Sequence, residues 1–429
     1  MTATRETFGN ISGASQTAFY VIACLSVAVF AYGVWLRIRL WRHGQSAHLR
    51  QVLSGSFRQI ASRLIPGLRR VLVEGVAHYR IRGRGLPSWA HALMFAGFLM
   101  LMLGTTLLEV DHLAAMVSRS FSFHHGTYYV IYELTLDIFG LLFLLGTLLF
   151  CGRRLWRPSS TGHRATDWMV LVLFLSIGMT GYAVEALRMA WQQPVGAGAR
   201  CSPVGYWLAS YLSDWSETQS RAAHLGMWWL HAVLVFGFIA AIPYTRLFHL
   251  IAGPLNLMLA QPALGQLQPV TLEQAELDGR IGISDIRHLT TQQLISLDAC
   301  MECGRCEDVC PAFATGKPLS PKKIVQDLKR VMERLPSVAT STALNPHDVI
   351  LPQTVWSCTA CSACVVACPV RVDQLTLILD LRRHLASEGG LSGTAATALR
   401  RMQSTSNPWG LPEDERANWT HTPDSAPPV

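Results

Sequence analysis

Charge is scarce in this chain. Only 15% of its 429 residues are Asp, Glu, Lys or Arg, while 50% are hydrophobic; ordinary soluble domains carry about a quarter charged residues. That composition excludes a plain soluble protein, yet it is too charged for a pure membrane bundle. Other features are missing too. No Gly-x-Gly-x-x-Gly run follows a strand pattern and no Walker A loop is present, so neither nicotinamide nor nucleotide binding is indicated. The soluble part offers no nucleophile or acid–base constellation, and chemistry on an organic substrate is not expected of it. No cysteine follows Cys368. The net charge of +8 is not a nucleic-acid signal, because the excess lies in short segments beside apolar runs, where arginine sets membrane orientation.

What is present divides sharply. Residues 1–255 hold nearly all the long apolar runs and every Trp except Trp356, Trp409 and Trp419. Five stretches reach the roughly 20 helical residues that cross a bilayer: Thr17–Leu36, Pro87–Val110, Tyr128–Cys151, Trp168–Met189 and Gly226–Ile251. The first lacks a basic region before it and a small-residue cleavage site after it, so it reads as an uncleaved anchor. Arg37–Leu86 carries eleven arginines against one acid, Glu74, and Arg153, Arg154, Arg157 and Arg164 follow span three. The positive-inside rule then puts the N-terminus outside and the C-terminal region in the cytoplasm. Within Arg37–Leu86, Leu53, Phe57, Ile60, Leu64 and Leu68 recur at helical spacing. They fit a helix lying on the inner membrane surface or a solvated basic connector.

The soluble region contains two complete C-x2-C-x2-C-x3-C-P runs, Cys300 to Pro311 and Cys358 to Pro369. This is the spacing that holds [4Fe–4S] clusters, the fourth cysteine of each run serving the other cluster. One cluster is therefore expected on Cys300, Cys303, Cys306 and Cys368, the other on Cys358, Cys361, Cys364 and Cys310. Disulfides do not suit a reducing compartment, and zinc sites rarely take four cysteines so spaced. Cys24, Cys151 and Cys201 are assigned no disulfide. His163 and the outer pair His124 and His125 read as solvated loop residues rather than ligands.

Ionisable side chains inside a bilayer need a reason. His91 sits near the cytoplasmic end of span two; His224, His231 and His249 are spaced by near-whole helical turns along span five and so share a stripe. Two antiparallel spans with inward histidines form a bis-imidazole haem cradle. By depth His91 should face His249 and hold a b-type haem. A second, outer haem would use His231 or His224, with Met102 as a weak partner candidate and His112 too far out. For any single histidine the alternative is an interhelical hydrogen bond. Acids gather in the outer half: Glu109, Asp111, Glu133, Asp137 and Glu185. Of these Glu133, Asp137 and Glu185 are candidates to serve a quinone, unless they simply tie helices together through Arg188.

Several stretches resemble known families. They are His91-Ala-Leu-Met-Phe-Ala-Gly-Phe, Tyr132-Glu-Leu-Thr-Leu-Asp-Ile-Phe-Gly, Ser202-Pro-Val-Gly-Tyr-Trp, Trp228-Trp-Leu-His231, Ile242-Pro-Tyr-Thr-Arg-Leu-Phe-His249 and Gly316-Lys-Pro-Leu-Ser-Pro321. The membrane part resembles the cytochrome b gamma subunit of respiratory nitrate reductase. The whole is similar to membrane iron–sulfur oxidoreductases related to heterodisulfide reductase, a group that includes oxidoreductases linking electron-transferring flavoprotein to menaquinone. The resemblance has two departures. The gamma subunit has a second haem histidine about ten residues further along span two, where this chain has Leu101. The larger relatives continue into cysteine-rich repeats, whereas here only the connector-like Asn407–Trp419 remains; that module is expected on a separate polypeptide, or the chain is a subunit that functions without one.

The resulting expectation is an all-α protein, a five-helix transmembrane cytochrome b bundle followed by a helical two-cluster ferredoxin domain. Residues 1–255 form the membrane domain, with an interfacial basic segment at 37–86. Residues 256–299 form a connector, and across Gly253–Ala299 the residues Pro254, Pro262 and Pro269 speak against a continuous helix. A short helix at Thr291–Asp298 delivers Cys300, and residues 300–388 form the cytoplasmic cluster domain, with helices at Lys322–Leu335 and Val372–Ser387. Residues 389–429 form a disordered tail. The expected function is electron transfer between a cytoplasmic redox protein and the quinone pool of a bacterial or archaeal cytoplasmic membrane. The resemblance implies an electron-transferring flavoprotein, a flavin dehydrogenase or a cysteine-rich-repeat subunit as partner. The alternatives are an anchor whose clusters are structural, and a heterodisulfide or thiol reductase subunit.

Overall fold

A computed structural model describes residues 7–83, 85–118, 121–156, 165–193, 201–260, 269–337, 342–391 and 393–420. Arg157, His163, Arg164 and Pro262 lie outside the described residues. Among the described residues the chain forms helices and no strands, with an isolated bridge pairing Gln45 and Thr290.

Five helices are long and apolar enough to cross a membrane: Gly13–Trp41, Leu86–Val117, Gly126–Trp156, Ala165–Gln192 and Glu217–Tyr244. The first four overrun their apolar sequence stretches, and the fifth starts before its own, because polar caps continue the helix into the interface. Ser12 accepts from the Ser15 amide, Pro87 occupies the first turn of span two, and Ser216 and Gln219 form a capping box. Span two packs along span three, four along five, and one along five. Glycine allows the closest approach: a Cβ on Gly146 would lie 2.4 Å from the Met94 nitrogen, so spans two and three touch backbone to backbone. The bundle's centre is a cluster of Phe143, Phe174 and Phe238 with Phe98 and Leu101 against it.

Span five departs from expectation. Its α-helix ends at Ala241. Pro243 has no N–H to continue the ladder, and two 3-10 turns, Ile242–Tyr244 and Arg246–Phe248, follow before a new helix starts at His249. A continuous stripe through His224, His231 and His249 therefore does not exist. The new helix, His249–Leu259, contains Pro254 without breaking, and the boundary expected at 255 falls inside it. Phe248, Ala252 and Leu259 enter one core with Leu40 and Trp41 of span one and with Ile286, Leu294, Val325, Leu328 and Ile378 of the soluble part. The two halves are thus sewn together. Asp298, fully buried at its side chain, takes Trp41 at 2.8 Å, Arg37 at 3.3 Å and Lys329 at 3.0 Å.

The basic segment holds helices Ala47–Leu53 and Phe57–Arg70 and a π-helical turn, Val71–Val76. Phe57, Ile65, Leu68 and Leu72 are exposed along one side, as an interfacial helix requires. Its other side is docked on His249–Leu259, where Arg70 donates to the carbonyls of Leu257, Met258 and Ala260. The soluble helices fall at Thr291–Ala299, Pro321–Glu333 and Gln374–Ser387. The tail differs from the expected disorder: Gly393–Thr405 is helical, with no buried residue, sustained by local helix formers such as Ala, Leu, Arg and Met.

Candidate functional site

The two cysteine loops fold alike because their sequences place turn-forming backbones at equivalent positions. Glu302 (φ 55°) and Gly304 (φ 79°) in the first loop match Ala360 (φ 54°) and Ser362 (φ 61°) in the second. Left-handed residues on either side of the second cysteine curl the chain around the space the sulfurs face. Peptide N–H groups turn toward sulfur: Ala360 donates to Cys358 Sγ at 3.4 Å and Val372 to Cys368 Sγ at 3.3 Å.

The fourth cysteines cross over. Cys300, Cys303, Cys306 and Cys368 line one cavity with Lys322 and Gln374. Cys310 lies within electrostatic reach of Cys358 and Cys364, beside Cys361. Burial and the neighbouring thiols push Cys364 and Cys368 up to about 12 and raise Cys306 further still. Thiols so crowded resist becoming thiolates unless cationic metal sits among them. Four cysteines at each site, drawn from C-x2-C-x2-C-x3-C-P runs, suit a multi-iron cube, whose ligands bind different irons. The donor sets fit the clusters expected.

The two sites differ in depth. Cys361 is exposed, and Leu351 and Val366 beside that loop are open to solvent. The ring around Cys368 faces the membrane half, where Arg80 donates to the Cys368 carbonyl at 2.9 Å. Arg305, between Cys303 and Cys306, donates to the carbonyls of Arg80 at 3.0 Å and Ile81 at 3.1 Å. Glu74 in the π-helical turn holds Arg371 through two bonds of 2.7 and 2.6 Å and Arg80 at 3.2 Å. On the opposite flank Arg246 joins Asp167 of span four to Glu302 of the first loop, at 2.9 and 2.8 Å.

His91 lies one turn into span two and close enough to His78, His249 and Arg305 to feel their charge. The three intramembrane or near-membrane histidines His91, His231 and His249 each have Nδ1 engaged. His249 Nδ1 is 2.6 Å from the Arg246 carbonyl, which can only accept, so Nδ1 carries the proton and Nε2 keeps its lone pair. His91 Nδ1 is 2.9 Å from His78 Nε2. His231 Nδ1 is 2.9 Å from Thr180 Oγ1, a hydroxyl already donating to Ser176. An Nδ1 tied to an acceptor with Nε2 left for metal is the arrangement ligating histidines adopt. His91 and His249, brought together across the break at Pro243, fit a bis-imidazole haem.

The outer candidates are placed differently. His231 faces span four through Thr180, the interhelical bond that a membrane histidine can make. His224, buried at the outer end, approaches Asn10 Nδ2 at 3.4 Å. Met102 is 52% exposed on the outside of the bundle, so it does not face His231. His112 packs on Phe8. Glu133 accepts from Ser202 at 2.9 Å and pairs with Arg188, which also binds Glu185. Asp137 accepts from the Val204 amide at 2.9 Å and so caps the short helix Pro203–Ser210. Glu109 accepts from Tyr20, and Asp111 from Ser122 and the amides of Phe123 and His124. All five acids thus hold structure.

Sequence reasoning missed His78, Arg80 and Arg371. A signal existed: Glu74 is the lone acid of a very basic segment, four residues before its buried histidine.

Two families and several known proteins match this chain. Residues 84–265 match the nitrate reductase gamma subunit family and residues 296–372 the 4Fe-4S dicluster domain family. The chain is 28% identical to the EtfAB:quinone oxidoreductase of Syntrophomonas wolfei, an alignment covering 93% of this chain and 59% of that protein. It is 30% identical to the "probable membrane-anchored ferredoxin" of Chromohalobacter salexigens, covering 92% of this chain and 56% of that one. A heterodisulfide-reductase-like protein of Archaeoglobus profundus is 29% identical over 30% of this chain and 60% of its own length. The chain therefore spans less than two thirds of the length of these relatives. No solved structure matches it.

Proposed function

We propose that this chain is a membrane-anchored iron–sulfur electron-transfer subunit that passes electrons between a soluble redox protein and the membrane quinone pool. The route runs from a [4Fe–4S] cluster on Cys358, Cys361, Cys364 and Cys310 to one on Cys300, Cys303, Cys306 and Cys368. It continues to a single b-type haem on His91 and His249. Clusters and haem supply one-electron carriers; the protein supplies their spacing, their ligand protonation states and the exclusion of water. One observation carries the reading: Arg305, inside the first cluster loop, is bonded to the backbone of the loop whose His78 contacts His91. Exposure at Cys361 supports entry or exit of electrons through the Cys358 loop, where a soluble partner can dock.

The basic ends of the spans lie on the cluster-domain side, with Arg37 and Arg246 in ion pairs to it. This supports a cytoplasmic cluster domain and an N-terminus outside. The name of the Syntrophomonas relative makes an electron-transferring flavoprotein the partner to try first, with a flavin dehydrogenase or a cysteine-rich-repeat subunit next. Glu133, Asp137 and Glu185 remain the carboxylates offered to a quinone, on position alone. His231 is tied to Thr180 and His224 to Asn10, while Met102 is exposed on the outside of the bundle, so one haem is proposed. The test is a cofactor count on the purified chain: two [4Fe–4S] signals by electron paramagnetic resonance and one haem by pyridine haemochrome. Absence of haem would leave an iron–sulfur protein on a membrane anchor.

A further inference from the structure

We propose that His78 is the positioning residue of the haem site, accepting the Nδ1–H of His91 so that Nε2 of His91 faces the iron. This rests on the assignment of His91 as a haem ligand. The proton order follows from the bonds. His78 Nδ1 lies 2.9 Å from the Val76 carbonyl, which can only accept, so His78 donates there and its Nε2 bears a lone pair. The 2.9 Å contact from His78 Nε2 to His91 Nδ1 then requires His91 to be the donor, and its lone pair resides on Nε2.

The backbone is built for this contact. His78 is buried and stands at φ 56°, a left-handed conformation uncommon for a non-glycine residue. It closes a π-helical turn, itself an unusual element. Its ring packs edge-on against Phe95 at 4.5 Å, leaving little freedom to turn. The same loop is fastened on both sides. Ser88 of span two donates to the Ile81 carbonyl at 2.7 Å, while Arg80 fastens it to Cys368 of the second cysteine loop at 2.9 Å and Arg305 ties it to the first at 3.0 Å. His78 therefore sets one ligand's orientation from an element that the cluster domain itself holds still.

A donated Nδ1–H gives the ligating imidazole more electron density and favours ferric iron. In the full-length chain in detergent, His78→Leu removes the acceptor and His78→Gln keeps one in its amide oxygen. Haem content, low-spin ferric g-values and midpoint potential are read for both, with His91→Ala as control. In His78→Leu haem is retained and the ferrous-to-ferric ratio at the wild-type midpoint rises about tenfold, about 59 mV for one electron. The g-values shift as well, and His78→Gln returns most of both changes. A His78→Leu protein with wild-type potential and g-values overturns the role of His78, as does a shift that glutamine fails to reverse. Haem lost in His78→Leu but kept in His91→Ala would make His78 the ligand instead. A wild-type chain without haem sinks the parent assignment, and this one with it.

Discussion

Glu74→Gln is the sharpest single perturbation of the junction between cluster domain and membrane bundle. Glu74 is the only acid among the eleven arginines of residues 37–86, and two of its partners are guanidinium groups, Arg371 and Arg80, held at 2.6 and 3.2 Å. Its side chain is 11% exposed and those of Arg371 and Arg80 are 16% and 22%, so water compensates poorly for the lost charge. Breaking a buried pair by removing one partner costs about 3–5 kcal/mol. At about 1.4 kcal/mol per factor of ten, local opening of the loop should become roughly two to three and a half decades more frequent. The assay is amide hydrogen exchange of the loop. Ala77, Tyr79 and Ile81 donate to Leu72, Val73 and His78, and these amides should exchange faster while those in the middle of span three stay as they were. Loop exchange within a factor of about three of wild type in a folded protein would refute the view of Glu74 as the latch.

Three further outcomes are expected. Cys310→Ser should remove or convert the cluster of the Cys358 loop, not that of its own loop, losing up to about four of eight irons; electron paramagnetic resonance that shows damage to the other cluster contradicts the crossed ligation. Glu133→Gln should slow quinone turnover several-fold with haem content intact if the outer carboxylates serve the quinone; unchanged turnover leaves Glu133 as a tie to Ser202 and Arg188. His347, whose pKa is lowered by burial and then by the charge of His384, binds a proton less readily folded than unfolded. Its contribution to stability is full above the unfolded value near 6.5 and is lost as pH falls through the depressed one. Unfolding of the cluster domain followed from pH 7 to 5 should flatten in His347→Asn, and an unaltered slope would discount it.

Much of the architecture is readable in the sequence, for identifiable reasons. A span needs only an apolar run of sufficient length, so all five appear, with ends extended by caps such as Ser12 and Ser216 that lie outside the apolar run. The crossed cysteine sets are encoded in spacing, since Pro311 and Pro369 each end a loop in the same way. What escaped depended on three-dimensional detours. Pro243 breaks the helical register that related His231 to His249, yet the two 3-10 turns still deliver His249 near His91. His78 reaches His91 only through a π-helical turn and a left-handed residue, neither of which leaves a periodic trace. The outer acids could be read by position, but whether each oxygen was already engaged depended on the short helix Pro203–Ser210 and on Arg188. The tail's helix, Gly393–Thr405, buries no residue and so leaves no apolar stripe in the sequence to mark it.

Quinone-linked electron transfer through the inner haem is tested most directly by one spectrum. The purified full-length chain is mixed anaerobically with a short-chain quinol and its visible absorption recorded. A reduced b-type band should appear in the wild type and be missing in His91→Ala and His249→Ala. A haem that dithionite reduces but quinol leaves oxidised, or a band that survives both substitutions, would contradict it.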